Sequence, residues 1–150
     1  MTRFSRLTLA ATLAAALPFA ALAEDIPASV TVDGAVALRA ASIAKDNLTE
    51  AQVQVLKDIA YQKTAVLTCE GFTVDDARFA TVFATAYPSA AEFDALDETA
   101  QFKLQSVVML VMGVFLGGNV AIAANDTAGW CKAAADERAK TDAPNRIWAD

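Results

Sequence analysis

The chain has 150 residues, a hydrophobic content of 55%, a formal charge of −6 and no histidine. The missing histidine excludes Ser-His-Asp and Cys-His catalysis, histidine-ligated zinc and an imidazole pH switch. The acidic charge argues against a nucleic-acid partner, because binding to phosphates requires a basic surface. At this length we expect one domain with one hydrophobic core.

The first 23 residues have the three-part pattern of a secretory signal peptide. Arg3 and Arg6 precede an apolar stretch that ends at Pro18, and Ala21-Leu22-Ala23 places small residues before a cleavage point. A buried helix or a membrane anchor is the alternative, but the stretch is short for a span. We expect cleavage after Ala23 and export to the periplasm. The remaining 24–150 would form a single helical domain with a formal charge of −8, since two arginines leave with the signal.

Both cysteines, Cys69 and Cys131, lie in the mature part of the chain. In an exported protein an even number of cysteines is typical of a disulfide framework. The alternative is a redox or nucleophilic thiol. The chain has no Cys-x-x-Cys pair and no histidine that could activate a thiolate. We therefore predict a structural bridge between Cys69 and Cys131.

The first two elements of the mature chain are predicted to be helices. Asp33 is expected to cap a helix that runs to about Lys45. The capping-box pattern Thr49-x-x-Gln52 then predicts a second helix over about 50–67. Gly71 is suited to a left-handed stop after it.

Three further helices are predicted downstream. Thr73 is expected to cap the third, with acids in its first turn, and Tyr87-Pro88 ends it. A second capping box begins at Ser89, and the apolar spacing that follows leaves open whether 89–118 is one helix or two helices broken near Asp97. The last helix is expected from Asp126-Thr127 to about residue 140, with Ile147 and Trp148 attaching the tail to the body. The predicted fold is all-α, a compact bundle of five or six helices with one disulfide.

Residues 104–125 contain no charged side chain and support two interpretations. Their length suffices to span a bilayer, and Gly113-x-x-x-Gly117 resembles a membrane helix-dimer motif. Alternatively, they form a central apolar helix buried on all sides by the others. We favour the core helix, because a span would place Cys69 and Cys131 on opposite sides of a membrane. Gly117-Gly118 is expected to weaken or end a helix there. In a core helix, the glycines would allow close approach of another helix or a turn near Asn119.

Candidate catalytic and metal-binding groups are limited to carboxylates. The acid pairs Asp75-Asp76 and Asp97-Glu98 could act as general acids and bases or as ligands of a hard metal ion. Both pairs lie at predicted helix starts, where acids are expected for capping. The sequence contains no phosphate loop, dinucleotide fingerprint or haem-attachment pattern. We therefore expect no enzyme activity, no cofactor and no metal.

The stretch Thr68-Cys69-Glu70-Gly71-Phe72, followed by two acids and an aromatic-rich helix, resembles HdeA/HdeB-like periplasmic acid-stress proteins. Cys131 would supply the second cysteine of the family's single disulfide. The resemblance implies an acid-stress chaperone, folded as a dimer at neutral pH, that loosens in acid and exposes apolar surface to client proteins.

These observations predict a non-enzymatic, exported helical protein that binds other proteins or a second copy of itself, as a stress-related or chaperone-like module. One alternative is a membrane-anchored or membrane-inserting protein that uses residues 104–125. Another is a helical module that binds a lipid or another apolar ligand.

Overall fold

The computed structural model describes residues 31–140 and 143–149. Within these ranges the chain forms helices joined by turns and short irregular segments, and the only β-structure is one isolated bridge. The expected signal peptide lies outside the described residues. The expected all-α bundle with one disulfide is confirmed over these ranges. The helices are α1 (Val32–Ala44), α2 (Glu50–Thr68), α3 (Asp76–Ala84), α4 (Ala90–Asp94), α5 (Glu98–Asn125) and α6 (Thr127–Arg138).

The two predicted capping boxes are confirmed, whereas the two predicted single caps are wrong. Thr49 and Ser89 each exchange hydrogen bonds with the residue three positions later. The cap of α1 is Thr31 rather than Asp33, because the Thr31 hydroxyl accepts the Gly34 N–H at 3.2 Å. The cap of α3 is Asp75 rather than Thr73, since the Thr73 carbonyl is engaged by the C-terminal tail.

The chain breaks between α4 and α5, so 89–118 is two helices. Asp97 is the N-cap of α5 and accepts the Ala100 N–H at 2.8 Å. The Gln101 side chain donates to the carbonyls of Phe93, in α4, and Leu96, just after it. From Glu98 onward α5 is continuous for 28 residues, so the expected end of the helix at Gly117-Gly118 and the turn near Asn119 are wrong. The expected close approach of another helix is confirmed at Gly118, where an added Cβ would clash with Val36 of α1.

The long helix α5 lies at the centre of the bundle and packs on α2 and α1. Its inner face carries Val107, Val108, Val111 and Phe115, all buried. These side chains contact buried aliphatic residues of α1 and α2. The buried residues are spaced three or four positions apart in sequence, which places them on one side of each helix. A second, smaller core forms where the C-terminal end of α2 meets α6 and the tail.

The C-terminal tail over 143–149 is an integral part of the body. Ile147 and Trp148 are buried, which confirms their predicted attachment. The side chain of Gln62 bonds the tail in both directions: its Nε2 donates to the Asn145 carbonyl and its Oε1 accepts the Ile147 N–H, each at 2.8 Å. The Trp148 indole donates to the Gln62 carbonyl at 3.0 Å. A short antiparallel bridge joins Trp148 to Val74.

Candidate functional site

One face of α5 is apolar and open to solvent. Phe102 is 71% exposed, Met109 59% and Leu110 57%, and Val120 is also exposed. With Gly113 and Gly117, these residues recur at helical spacing along one side of the helix, and we call them the α5 stripe. The expectation that this helix is buried on all sides is therefore wrong: α1 and α2 cover its inner face, and no described residue covers the stripe.

Gly113 and Gly117 have no side chains, so they form a shallow depression in the middle of the α5 stripe. A Cβ at Gly113 or Gly117 would have no neighbouring atom within 4 Å. The next glycine, Gly118, faces the other way, and a Cβ there would lie 2.4 Å from Val36 of α1. Gly118 thus serves close packing of α1 on α5. Gly113 and Gly117 instead leave a shallow depression on the open side, where another backbone could approach closely.

No charged side chain lies on α5 between Lys103 and its end at Asn125. At 1.5 Å per residue the uncharged part is about 33 Å long. Among the described residues, this helix alone is long and apolar enough to cross a bilayer, and a third of its most apolar 18-residue window is buried inside the fold. The charged groups at the two ends of this segment, Lys103 and Asp126, are both exposed and opposite in sign.

The predicted bridge is present: the Cys69 and Cys131 sulfurs are bonded, with 5.5 Å between the Cα atoms. It joins the C-terminal end of α2 to α6. Phe72 packs edge-on against Trp148 beside it, with 5.1 Å between ring centroids. The Arg138 guanidinium lies 4.1 Å from the centroid of the Phe72 ring and donates to the Gly71 carbonyl. These neighbours give the bridge the surroundings of a structural disulfide.

The predicted acid pairs lie at helix starts. Asp75 and Asp97 are the N-caps of α3 and α5, and Asp76 and Glu98 occupy the first turns. Within 31–140 and 143–149, no three acidic or cysteine side chains gather as a metal site would require. In the second capping box, hydrogen bonds from Ser89 lower the pKa of Glu92.

Sequence reasoning identified the apolar run 104–125 and the spacing of Gly113 and Gly117, but not the exposed face to which they belong. A helix that is apolar on every side gives no periodic signal to show which face meets solvent. The one available signal was the spacing of Gly113 and Gly117, which places two small residues on a common face. No family model matches the chain, and neither the curated proteins nor the solved structures include a significant match.

Proposed function

We propose that this chain is an exported, non-enzymatic helical protein that binds other polypeptides through the α5 stripe, and that a second copy of the chain is the resting occupant. The observation that carries the proposal is the exposure of Phe102, Met109 and Leu110 on one face of an otherwise acidic protein. A contiguous exposed apolar patch is typical of an interaction surface.

The α5 stripe is self-complementary. Gly113 and Gly117 are equidistant from residue 115, as are Leu110 and Val120. In an antiparallel pair related by a two-fold axis at that point, each glycine faces the other glycine of the second copy, and Leu110 faces Val120. Lys103 then comes within one residue of the position opposite Asp126. The same register therefore pairs small with small, large with large and cation with anion, and it also opposes the two helix dipoles.

The proposed contact is small. The α5 stripe from Phe102 to Val120 is about 27 Å long, and at a width of about 10 Å it buries about 270 Å² per copy, using the ordinary helix rise and diameter. A standard stable interface buries about 800 Å² per partner. We therefore expect a weak, reversible dimer. An apolar segment of an unfolded client protein can then replace the second copy on the α5 stripe.

Acid favours release of the second copy. At pH about 2 nearly all carboxylates are neutral, so the charge of the mature chain changes from −8 to about +10. Two strongly cationic copies repel each other, which opposes the dimer. Because the chain has no histidine, its carboxylates are the groups that respond to acid. This behaviour is also what the resemblance to HdeA/HdeB-like proteins implies.

The decisive experiment compares Leu110→Glu with Leu67→Glu. Leu67 is 67% exposed on α2 and lies off the α5 stripe, so it is a matched control. Light scattering coupled to gel filtration, over a concentration series at neutral pH, should show a dimer that Leu110→Glu weakens at least tenfold and Leu67→Glu leaves unchanged. At pH about 2 the unsubstituted protein should suppress aggregation of an acid-labile enzyme. Leu110→Lys, whose charge persists in acid, should lose this effect, and Leu67→Lys should retain it. Equal behaviour of both variants would overturn the proposal.

Export is tested separately by osmotic shock of the expressing bacterium. We expect the processed chain in the soluble shock fluid, and its gel mobility should change on reduction because of the Cys69–Cys131 bridge. Retention in the membrane pellet would contradict the proposed compartment and favour an anchored protein.

A membrane surface is the second candidate partner, and the length and apolarity of α5 favour it. In this fold, however, α5 cannot enter a bilayer without α1 and α2, and α2 carries Lys57, Asp58 and Lys63. Burial of those charges in hydrocarbon is costly. Flotation with phosphatidylcholine vesicles distinguishes the candidates: vesicle binding that Leu110→Glu abolishes, without any dimer in solution, would replace the proposed protein partner with a membrane.

A further inference from the structure

A cavity of about 320 Å³ lies where α1, α2, α5 and α6 meet. It is separate from the α5 stripe, because Asn119, which lines it, is buried while the next residue of the helix, Val120, is exposed. Tyr61, Ile122 and Trp130 contribute an apolar and aromatic wall. The ring centroids of Tyr61 and Trp130 are 4.9 Å apart.

Two polar groups of this cavity have no hydrogen-bond partner within the described parts of the chain. Asn119 is only 8% exposed, and its side-chain amide pairs with no other group there. The Trp130 indole Nε1 is fully buried and also unpaired. Leaving a buried donor or acceptor unsatisfied costs about 1–3 kcal/mol, so such groups are normally paired. An indole N–H can only donate, which means that its partner must present an acceptor.

The charged groups around the cavity have both signs. Lys57 forms no salt bridge with the described residues, and neither does Asp33, which lies in the first turn of α1. Asp58 accepts hydrogen bonds from Gln54 and Asn145. Lys57, Trp130 and Asn119 can thus donate to a carboxylate, while Asp33 and Asp58 can attract an ammonium group.

We propose that this cavity binds a small zwitterion, of which a free amino acid is the simplest example. The carboxylate of the ligand accepts from Lys57, Asn119 and the Trp130 indole, its ammonium group faces the two aspartates, and its side chain contacts the aromatic wall. A cavity of this volume accommodates a single amino acid. The inference does not depend on the α5 stripe or on the second copy of the chain.

The two tryptophans provide an internal probe, because the chain has only Trp130 and Trp148. The Trp148 indole is already bonded to the Gln62 carbonyl, so it is the reference. In ¹⁵N–¹H spectra of the exported protein, titration with the standard amino acids should shift the Trp130 indole signal saturably and leave the Trp148 signal in place. If no amino acid does so at millimolar concentration, the cavity holds ordered water only and the proposal is wrong.

The need for both charges is tested with the amino acid that binds best and its two truncated analogues. For L-leucine these are isoamylamine, which lacks the carboxylate, and 4-methylpentanoate, which lacks the ammonium group. Each analogue should bind at least tenfold more weakly. Equal binding of 4-methylpentanoate would overturn the role of the aspartates, and equal binding of isoamylamine would overturn that of Lys57.

Variants distinguish a binding role from a structural one. Lys57→Met should weaken L-leucine binding at least tenfold, whereas Lys63→Met, which removes a lysine lying 4.3 Å over the Phe79 ring outside the cavity, should not. Asn119→Leu should abolish binding while the protein stays folded, since an apolar side chain removes the unpaired amide. Equal affinities for the Lys57→Met and Lys63→Met variants would contradict the assignment.

Discussion

Substitution by alanine should change the free energy of unfolding differently at Gly113 and at Gly118, two glycines of α5 that lie five residues apart. A Cβ added at Gly118 would lie 2.4 Å from Val36 Cγ2 and 2.9 Å from its Cγ1. Valine is held near one rotamer in a helix, so Val36 cannot turn aside and α1 must move. Overpacking of this kind costs about 1–3 kcal/mol. At Gly113 the added methyl group has no neighbour within 4 Å.

The helix-propensity term is shared by the two variants and cancels in their comparison. Replacement of a mid-helix glycine by alanine gains about 1 kcal/mol at either position. We therefore expect Gly113→Ala to raise the free energy of unfolding by about 0.5–1 kcal/mol, while Gly118→Ala leaves it unchanged or lowers it by up to about 2 kcal/mol. The difference between the two variants, about 1–3 kcal/mol, is the packing of α1 on α5.

Urea denaturation followed by circular dichroism measures both free energies. The measurements should be made at a protein concentration low enough to keep the chain monomeric, since Gly113 belongs to the α5 stripe. Gly117→Ala is a second open-face control, because nothing lies within 4 Å of its added Cβ. If Gly118→Ala is as stabilising as the two controls, then α1 does not pack on α5 as described and the reasoning is wrong.

Three further predictions concern the region around α2. Replacement of Cys69 and Cys131 by alanine should lower stability by about 4 kcal/mol on the chain-entropy model for a loop of 62 positions, as measured by urea denaturation against the unsubstituted, disulfide-bonded protein. Gln62→Leu should cost about 2–4 kcal/mol, because it leaves the buried Ile147 N–H and a tail carbonyl unpaired, and exposed Gln54→Leu is the control. Burial raises the pKa of Tyr61 above 10.0, and the negative charge of nearby Glu137 on α6 adds a smaller contribution in the same direction. The contribution of neutral Tyr61 to stability is therefore fully present below about pH 10 and is lost as pH rises through the pKa of the folded state. Tyrosinate absorbance should accordingly appear at higher pH in the native protein than in the urea-unfolded protein.

Capping chemistry could be predicted from sequence where two partners act together, and less well where one residue acts alone. Thr49 and Ser89 each have a partner three positions later, and the double requirement fixed both helix starts. Asp33 and Thr73 were single candidates, each with another good capping residue two positions away. The choice between Thr73 and Asp75 depended on the tail, whose bridge to this segment occupies the Thr73 carbonyl. Such a contact between distant parts of the chain leaves no local signal.

The exposed face of α5 and the cavity beside α6 were beyond sequence reasoning for different reasons. A uniformly apolar helix conceals its orientation, so the direction of Met109 and Leu110 depended on where α1 and α2 pack. Asn119 was visible as a polar interruption of the apolar run, but its meaning was not. Only the fold shows that it meets Trp130 and Lys57 at one cavity.

The helices are held in the fold by links of different kinds, and this difference determines which helix should detach first in acid. The disulfide, the Gln62 hydrogen bonds and the Arg138 contact hold α2, α6 and the tail together. In contrast, α1 is held by apolar packing, and no hydrogen bond or ion pair among the described residues joins it to another helix. Segments with few such links open first. Charge repulsion in acid should therefore release α1 before the rest, which hydrogen exchange would detect as faster exchange in α1 than in α2. Its departure would uncover the α5 face around Gly118, so that the apolar surface available to a client extends from the α5 stripe to the inner side of the same helix.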